Sequence, residues 1–239
     1  MTTREQVIHA LTERLRQIER PRSRSRRGDD TPGLEWPGLE GWLATHGLTR
    51  GCLVEWLADG SGSGLETLVW LTVRDMARRG DVVVLLDSRQ QFFARGMLSL
   101  GVPLPRVVLL QPDRIDDTLW SLEQALRSRG VGAVVCAVER LSAKQFRRLQ
   151  LAAESGGTWG LLLRPASVRR QPSWAEVRLL VEPQATSTTN GRRWRIELLR
   201  AKGRCAGDVT WVELDDETDG LRVVPELVAA TTAVRAAGA

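Results

Sequence analysis

At 239 residues with 42% hydrophobic side chains, the chain is long enough to bury a core of its own, which excludes wholesale disorder. Its three cysteines (Cys52, Cys136 and Cys205) lack CxxC spacing, and only His9 and His46 accompany them, so no zinc site, disulfide framework or His-based triad is expected. The net charge of +5 belongs to a tail: residues 1–27 hold eight Arg and three Glu, and the other 212 residues carry 26 basic and 26 acidic side chains. Nearly all the cations are Arg, the two lysines being Lys144 and Lys202. No apolar run approaches the ~18 residues that cross a bilayer. The N-terminus is charged throughout and has no apolar signal core, so a cytoplasmic protein is expected.

Residues 3–20 read as a helix, with Thr3 and Gln6 placed for a capping box. Ile8, Leu11, Leu15 and Ile18 form one narrow apolar stripe that must bury itself on its own domain or on a partner. The Pro-, Ser-, Gly- and Arg-rich stretch 21–34 reads as a basic flexible linker, which leaves the stripe free to seat on a partner as well as on its own domain. The main domain is assigned to 35–226 and a weakly patterned tail to 227–239.

Within the main domain, apolar runs at 52–57, 81–87, 106–112, 132–138 and 158–165 read as strands. Segments at 65–79, 89–100, 114–129 and 142–154 read as the helices between them. This alternation predicts an α/β fold, a mostly parallel sheet covered by helices on both faces. The rhythm then changes, and 173–183, 192–203, 208–214 and 220–226 predict antiparallel strands that extend the sheet. Asp215–Gly220 reads as a hairpin turn rather than a calcium loop, because it lacks the 12-residue spacing and terminal Glu. Cys136 falls in a buried strand and is expected to be an inert core residue.

The first strand ends in a turn, Ala58 to Gly64, that opens a helix, which is the layout of a phosphate-binding loop. The working motif GxxxxGK[ST] needs a Lys for the phosphate charge and a hydroxyl for Mg²⁺. With Gly60, Gly62 and Gly64 supplying the glycines, Leu65 stands where the Lys belongs and Glu66 where the hydroxyl belongs. Shifting the register by one puts Gly64 at the Lys position, so neither register supplies a cation. Glu66 and Asp59 would add negative charge beside a polyphosphate, with a repulsion of ~4 kcal/mol per pair at ~4 Å. No nucleotide cofactor and no metal are expected.

GCLVEWLADGSGSGLETL resembles the RecA segment around its phosphate loop, and DVVVLLDSRQQFFARGMLSLGVPLPRVVLLQPD resembles the RecA segment that follows. SWAEVRLLVEP is similar to the strand after RecA's second DNA-binding loop, and the likeness spans roughly residues 35–205 in order. The whole more closely resembles the ImuA family, RecA-like accessory proteins of damage-induced mutagenesis. The resemblance implies a RecA-like core whose catalytic positions are replaced. Arg89 stands for the catalytic Glu, Cys136-Ala137 for the Mg²⁺-supporting Asp, and Arg164-Pro165 for the nucleotide-sensing Asn-Gln. It therefore implies a pseudo-ATPase that joins polymerases in SOS-induced, error-prone translesion synthesis. The implied partners are an ImuB-like Y-family polymerase homologue, an error-prone C-family polymerase and, as a further candidate, RecA, with nucleoid association on DNA damage. DNA contact is expected to be indirect or weak, with Arg169 and Arg170 in the shortened turn after the fifth strand as candidates.

Of the nine Trp, most lie on apolar faces; Trp36, Trp42 and Trp211 are the candidates for partner binding, with Ile8, Leu11, Leu15 and Ile18. A weak nucleotide-binding regulator that keeps the glycine backbone, and a cell-division inhibitor of the SulA type, are the alternatives.

Overall fold

The computed structural model describes residues 50–60, 62–185, 191–201, 207–215 and 220–224. The expected helix 3–20, the linker, Trp36 and Trp42, and the tail 227–239 lie outside the described residues.

Nine strands form one sheet. In chain order the elements are β1 (Leu53–Ala58), α1 (Leu65–Arg78), β2 (Val82–Leu86), α2 (Ala94–Ser99), β3 (Val107–Leu110), α3 (Ile115–Arg127), β4 (Val131–Ala137), α4 (Ala143–Gly156), β5 (Trp159–Pro165), β6 (Val177–Gln184), β7 (Gly191–Ala201), β8 (Val209–Asp215) and β9 (Gly220–Val224). The sheet order is β3-β2-β4-β5-β1-β6-β7-β8-β9. The strands from β3 through β6 in that order pair in parallel, and β6 to β9 pair antiparallel.

The parallel strands read as continuous apolar runs because both faces of the sheet are covered. Alternate residues of β1 feed different cores. Val54, Trp56 and Ala58 join α1 and the apolar face of β6–β8, whereas Leu53 joins the layer of α3 and α4. The start of α4 follows the sequence: Ser142 accepts from the Gln145 amide while the Gln145 side chain accepts from the Ser142 amide, a complete capping box.

Two expectations are corrected. The helix expected over 89–100 is only Ala94–Ser99. The Asp87 carboxylate accepts from the amides of Gln91 and Phe92, both at 2.9 Å, and Gln90 takes φ 54°. These bonds fold 88–93 into a turn in place of the first helical turns. The strand expected over 173–183 begins only at Val177 and runs parallel to β1, with Val54 opposite Val177. After β5 the chain makes a 3₁₀ turn at Ala166–Arg170 and returns over β1, so β6 starts at the same end of the sheet as β1. The stretch 166–176 is thus a crossover, which parallel pairing requires. The antiparallel expectation holds for β7, β8 and β9.

Candidate functional site

The turn between β1 and α1 brings Gly64 to the N-terminus of α1 in a left-handed conformation, φ 75°. Gly is required there twice over. A Cβ would face the left-handed penalty and would also lie 2.3 Å from Nε1 of Trp194. Trp194 reaches this turn from β7 and donates from its indole to the Ser63 carbonyl at 2.8 Å. Leu65, in the Lys position, is buried at 7% exposure in the core beneath α1. Glu66 is exposed in the first helical turn, where its charge complements the helix dipole. Arg192, two residues before Trp194 on the same strand, donates to Thr67 Oγ1 at 3.3 Å. The β7 strand therefore lies against the start of α1.

Beside this turn is a cavity of about 320 Å³. Its walls come from α1 (Glu66, Thr67, Trp70), the C-terminal ends of β2, β4 and β5 (Asp87, Ala137, Leu163) and the segment around α2 (Phe92, Phe93). Ligands of open α/β sheets sit at this end of the strands. The charged groups at the rim are largely committed: the Asp87 carboxylate accepts from two amides and from Gln111, and Arg89 is ion-paired with Glu139. Cys136 is buried, and desolvation pushes its thiol up to about 12; Cys52 is pushed up as well, first by burial and then by Glu176. Among the described residues no cluster of His, Cys, Asp or Glu could hold a metal ion.

Arg164 does not enter the cavity. It turns to the other face of the sheet and pairs with Glu55 of β1, whose side chain is wholly buried. Arg178 of β6, directly across from Glu55 in the register, contributes Nε at 2.7 Å from the other carboxylate oxygen. Ser173 donates to that same oxygen at 2.6 Å. The guanidinium hydrogens left over go to carbonyls. Arg164 serves Val138 and Glu139, and Arg178 serves Val168, Arg169 and Gln171. The Arg178 pKa is lowered by desolvation against the opposing pull of Glu55. One carboxylate between two guanidiniums thus fastens the crossover 166–173 to the sheet. Sequence reasoning missed this group because its members are far apart in the chain, Arg164 lying 109 positions and Ser173 118 positions from Glu55. The one signal was a charged residue inside an apolar strand.

Arg169 and Arg170 are both exposed on the 3₁₀ turn, and Trp211 is half-buried on β8 between Arg195 and Val224. The structure does not bring Trp211 together with the arginines or with the phosphate-loop turn.

The chain is 31% identical over 195 residues to Protein ImuA of Caulobacter vibrioides, which covers 72% of this chain and 80% of that protein. The chain belongs to the ImuA family. This ImuA-family chain is also 30% identical over 127 residues to the cell division inhibitor SulA of Edwardsiella piscicida, covering 53% of the chain and 71% of that protein. Its fold is similar to that of the KaiC-like protein PH0186 of Pyrococcus horikoshii, with a TM-score of 0.53, 14% identity, and coverage of 74% and 91% of the two chains. No family model matches the sequence. The expected RecA-like α/β class agrees with this neighbour and with the observed sheet. Among the described residues no helix is long and apolar enough to cross a membrane.

Proposed function

We propose that this ImuA-family chain is a non-catalytic, RecA-like accessory protein of SOS-induced, error-prone translesion DNA synthesis. The observation that carries the reading is the start of α1. Trp194 packs on Gly64 and bonds Ser63, while Leu65 is buried where a phosphate-binding Lys would project. A phosphate chain here would meet an indole and the Glu66 carboxylate where the motif's Lys would stand, and the nearby guanidinium of Arg192 is already bonded to Thr67. The phosphate-loop elements are thus degenerate, and the RecA-like domain acts through protein contacts. Its partners are an ImuB-like Y-family polymerase homologue and an error-prone C-family polymerase, with RecA as a further candidate. The apolar stripe Ile8, Leu11, Leu15 and Ile18 read from the sequence supplies a contact to one of them.

The test is co-purification of the tagged protein from DNA-damaged cells, together with thermal melting in Mg-ATP. Recovery of an ImuB-like protein or an error-prone polymerase, with no nucleotide-dependent shift, is the expected outcome. A stabilisation of the order of 2.7 kcal/mol at 100 times Kd would instead support the weak nucleotide-binding regulator. Recovery of the division ring protein would support the SulA-type inhibitor. Leu11→Asp with Leu15→Asp is expected to abolish partner recovery without lowering the melting temperature, and unchanged recovery would overturn the role of the stripe.

A further inference from the structure

The end of the crossover presents one large aromatic side chain to solvent. Trp174 is 45% exposed, although Ser173 before it and Ala175 after it are buried. The backbone there is fixed. The Ser173 hydroxyl donates to Glu55 and accepts from the Ala175 amide, and the Ser173 carbonyl accepts from Arg200 of β7. Its neighbours thus hold the indole outward. Cations stand on both sides of it. On α4 the capping box at Ser142 sets the helix, and Lys144 and Arg147, three positions apart, share one face. The Arg147 guanidinium lies 5.3 Å from the centre of the Trp174 ring. Arg200 approaches from the other side, since β6 separates β7 from β1 in the sheet. All three cations are exposed, and none is in an ion pair among the described residues. The carboxylates of the same elements are engaged: Glu154 accepts from Gln150, and Glu176 accepts from Gln150 and from the Leu53 amide. Residues 28–239 are neutral overall, yet they gather three unpaired cations around one exposed indole.

We infer that the surface formed by Trp174, Lys144, Arg147 and Arg200 docks an acidic segment of a protein partner, one that carries a bulky apolar side chain between its carboxylates. Clusters of cations recognise acidic motifs because the N–H fork of a guanidinium matches a carboxylate. A well-held Trp among them is the side chain most often central to a protein contact. Carboxylates on either side of an apolar residue reach α4 and β7 while that residue covers the open part of the ring. A nucleic acid fits less well. One face of the ring already carries the Arg147 guanidinium, so a base stacked there would displace the cation that should hold its phosphate. The backbone under the indole is preorganised by Glu55 and Arg200, so docking costs little ordering of the protein. Nothing in the sequence set Trp174 apart from the other eight Trp, because the groups around it come from three separate elements. The surface stands independently of any nucleotide at the start of α1 and of which protein supplies the segment.

The test is fluorescence anisotropy of the full-length chain with a labelled peptide of alternating Asp and Glu around one central Phe, over a series of salt concentrations. The eight Arg of residues 1–27 add a nonspecific background, so differences between full-length variants carry the result. Trp174→Ala is expected to weaken binding roughly tenfold, and Trp174→Phe to keep most of the affinity. Exchanging the peptide's Phe for Ser is expected to bring the same loss. Lys144→Glu with Arg147→Glu is expected to weaken binding roughly tenfold, to flatten its salt dependence, and to reverse the preference toward a peptide with Lys in place of the acids. Arg95→Glu, exposed on α2 beside the cavity, is expected to change nothing. The charge reversal touches only exposed side chains, so it reads the site even where Trp174→Ala lowers the melting temperature. Equal affinity of the unsubstituted chain, Trp174→Ala and the charge reversal would overturn the site, as would an equal loss on Arg95→Glu. It would also be overturned if an oligothymidylate of equal charge bound more tightly than the peptide and lost that affinity in Trp174→Ala, since the surface would then serve nucleic acid.

Discussion

Glu55 shows how much one buried charge can organise. Its carboxylate is shared by Arg164, Arg178 and Ser173, and each guanidinium ends on backbone carbonyls. Such a group has little stabilising surplus over an apolar replacement, but removing one member strands the others in a dry interior. Glu55→Gln is therefore expected to destabilise the fold by about 3–5 kcal/mol, read as a fall in the urea midpoint. A triple change to Met at Glu55, Arg164 and Arg178 is expected to recover much of that loss. If Glu55→Gln unfolded at the native midpoint, the guanidiniums would have to be held by their carbonyl bonds alone. Cys136 gives a second expectation at this scale. Burial holds its thiol protonated up to about 12, whereas the unfolded chain ionises it in the ordinary thiol range. The unfolded state then binds fewer protons, so this residue lowers stability by about 1.4 kcal/mol per pH unit once the pH passes that ordinary range. Cys136→Ala is expected to flatten the fall in stability between pH 8 and 10.5, and an unchanged slope would show that the thiol is not shielded.

Among the elements, the β7 strand carries the contact least visible in the sequence. Its alternation of Trp194, Ile196 and Leu198 announces a strand with one apolar face, and the structure confirms it. Nothing in that pattern says that Trp194 reaches the turn ahead of α1, because the contact with Ser63 spans 131 positions. Gly64→Ala is expected to cost about 2–5 kcal/mol, combining a left-handed penalty of about 1–2 with a clash against the indole of about 1–3. Trp194→Phe should lose about 1 kcal/mol for the missing hydrogen bond and tolerate Gly64→Ala better. Non-additivity in that double-mutant cycle is the measurement, and strict additivity would show that the two do not press on one another. The same limit explains the rest of the comparison. The runs that became β1–β5 and the stripes of α1, α3 and α4 were legible because their periodicity is local. The shortened α2 was not, because a side-chain bond from Asp87 overrode a helical pattern. The direction of β6 was not legible either, because a crossover of irregular backbone looks like a short turn until its path over β1 is known.

Across the whole molecule, on the proposed reading, the positions that the RecA resemblance implies are replaced no longer share one task. Leu65 has joined the core under α1, Arg89 pairs with Glu139, Arg164 has gone to the opposite face, and Trp194 covers the turn from a strand far along the chain. Each has acquired a packing or ion-pair role that a nucleotide site would have to displace. On the proposed reading, restoring the motif locally is thus not enough. Leu65→Lys with Glu66→Thr is expected to lower stability by a few kcal/mol, since the ammonium enters a site that is 7% exposed, and to bring no Mg-ATP-dependent rise in melting temperature. Adding Trp194→Gly would open the turn yet still leave Arg89 and Ala137 in place of acids, so nucleotide binding without hydrolysis is the most that variant should show. If the double variant alone bound Mg-ATP, the turn before α1 would be an intact phosphate cradle lacking only its cation, and Trp194 would be a bystander rather than a barrier.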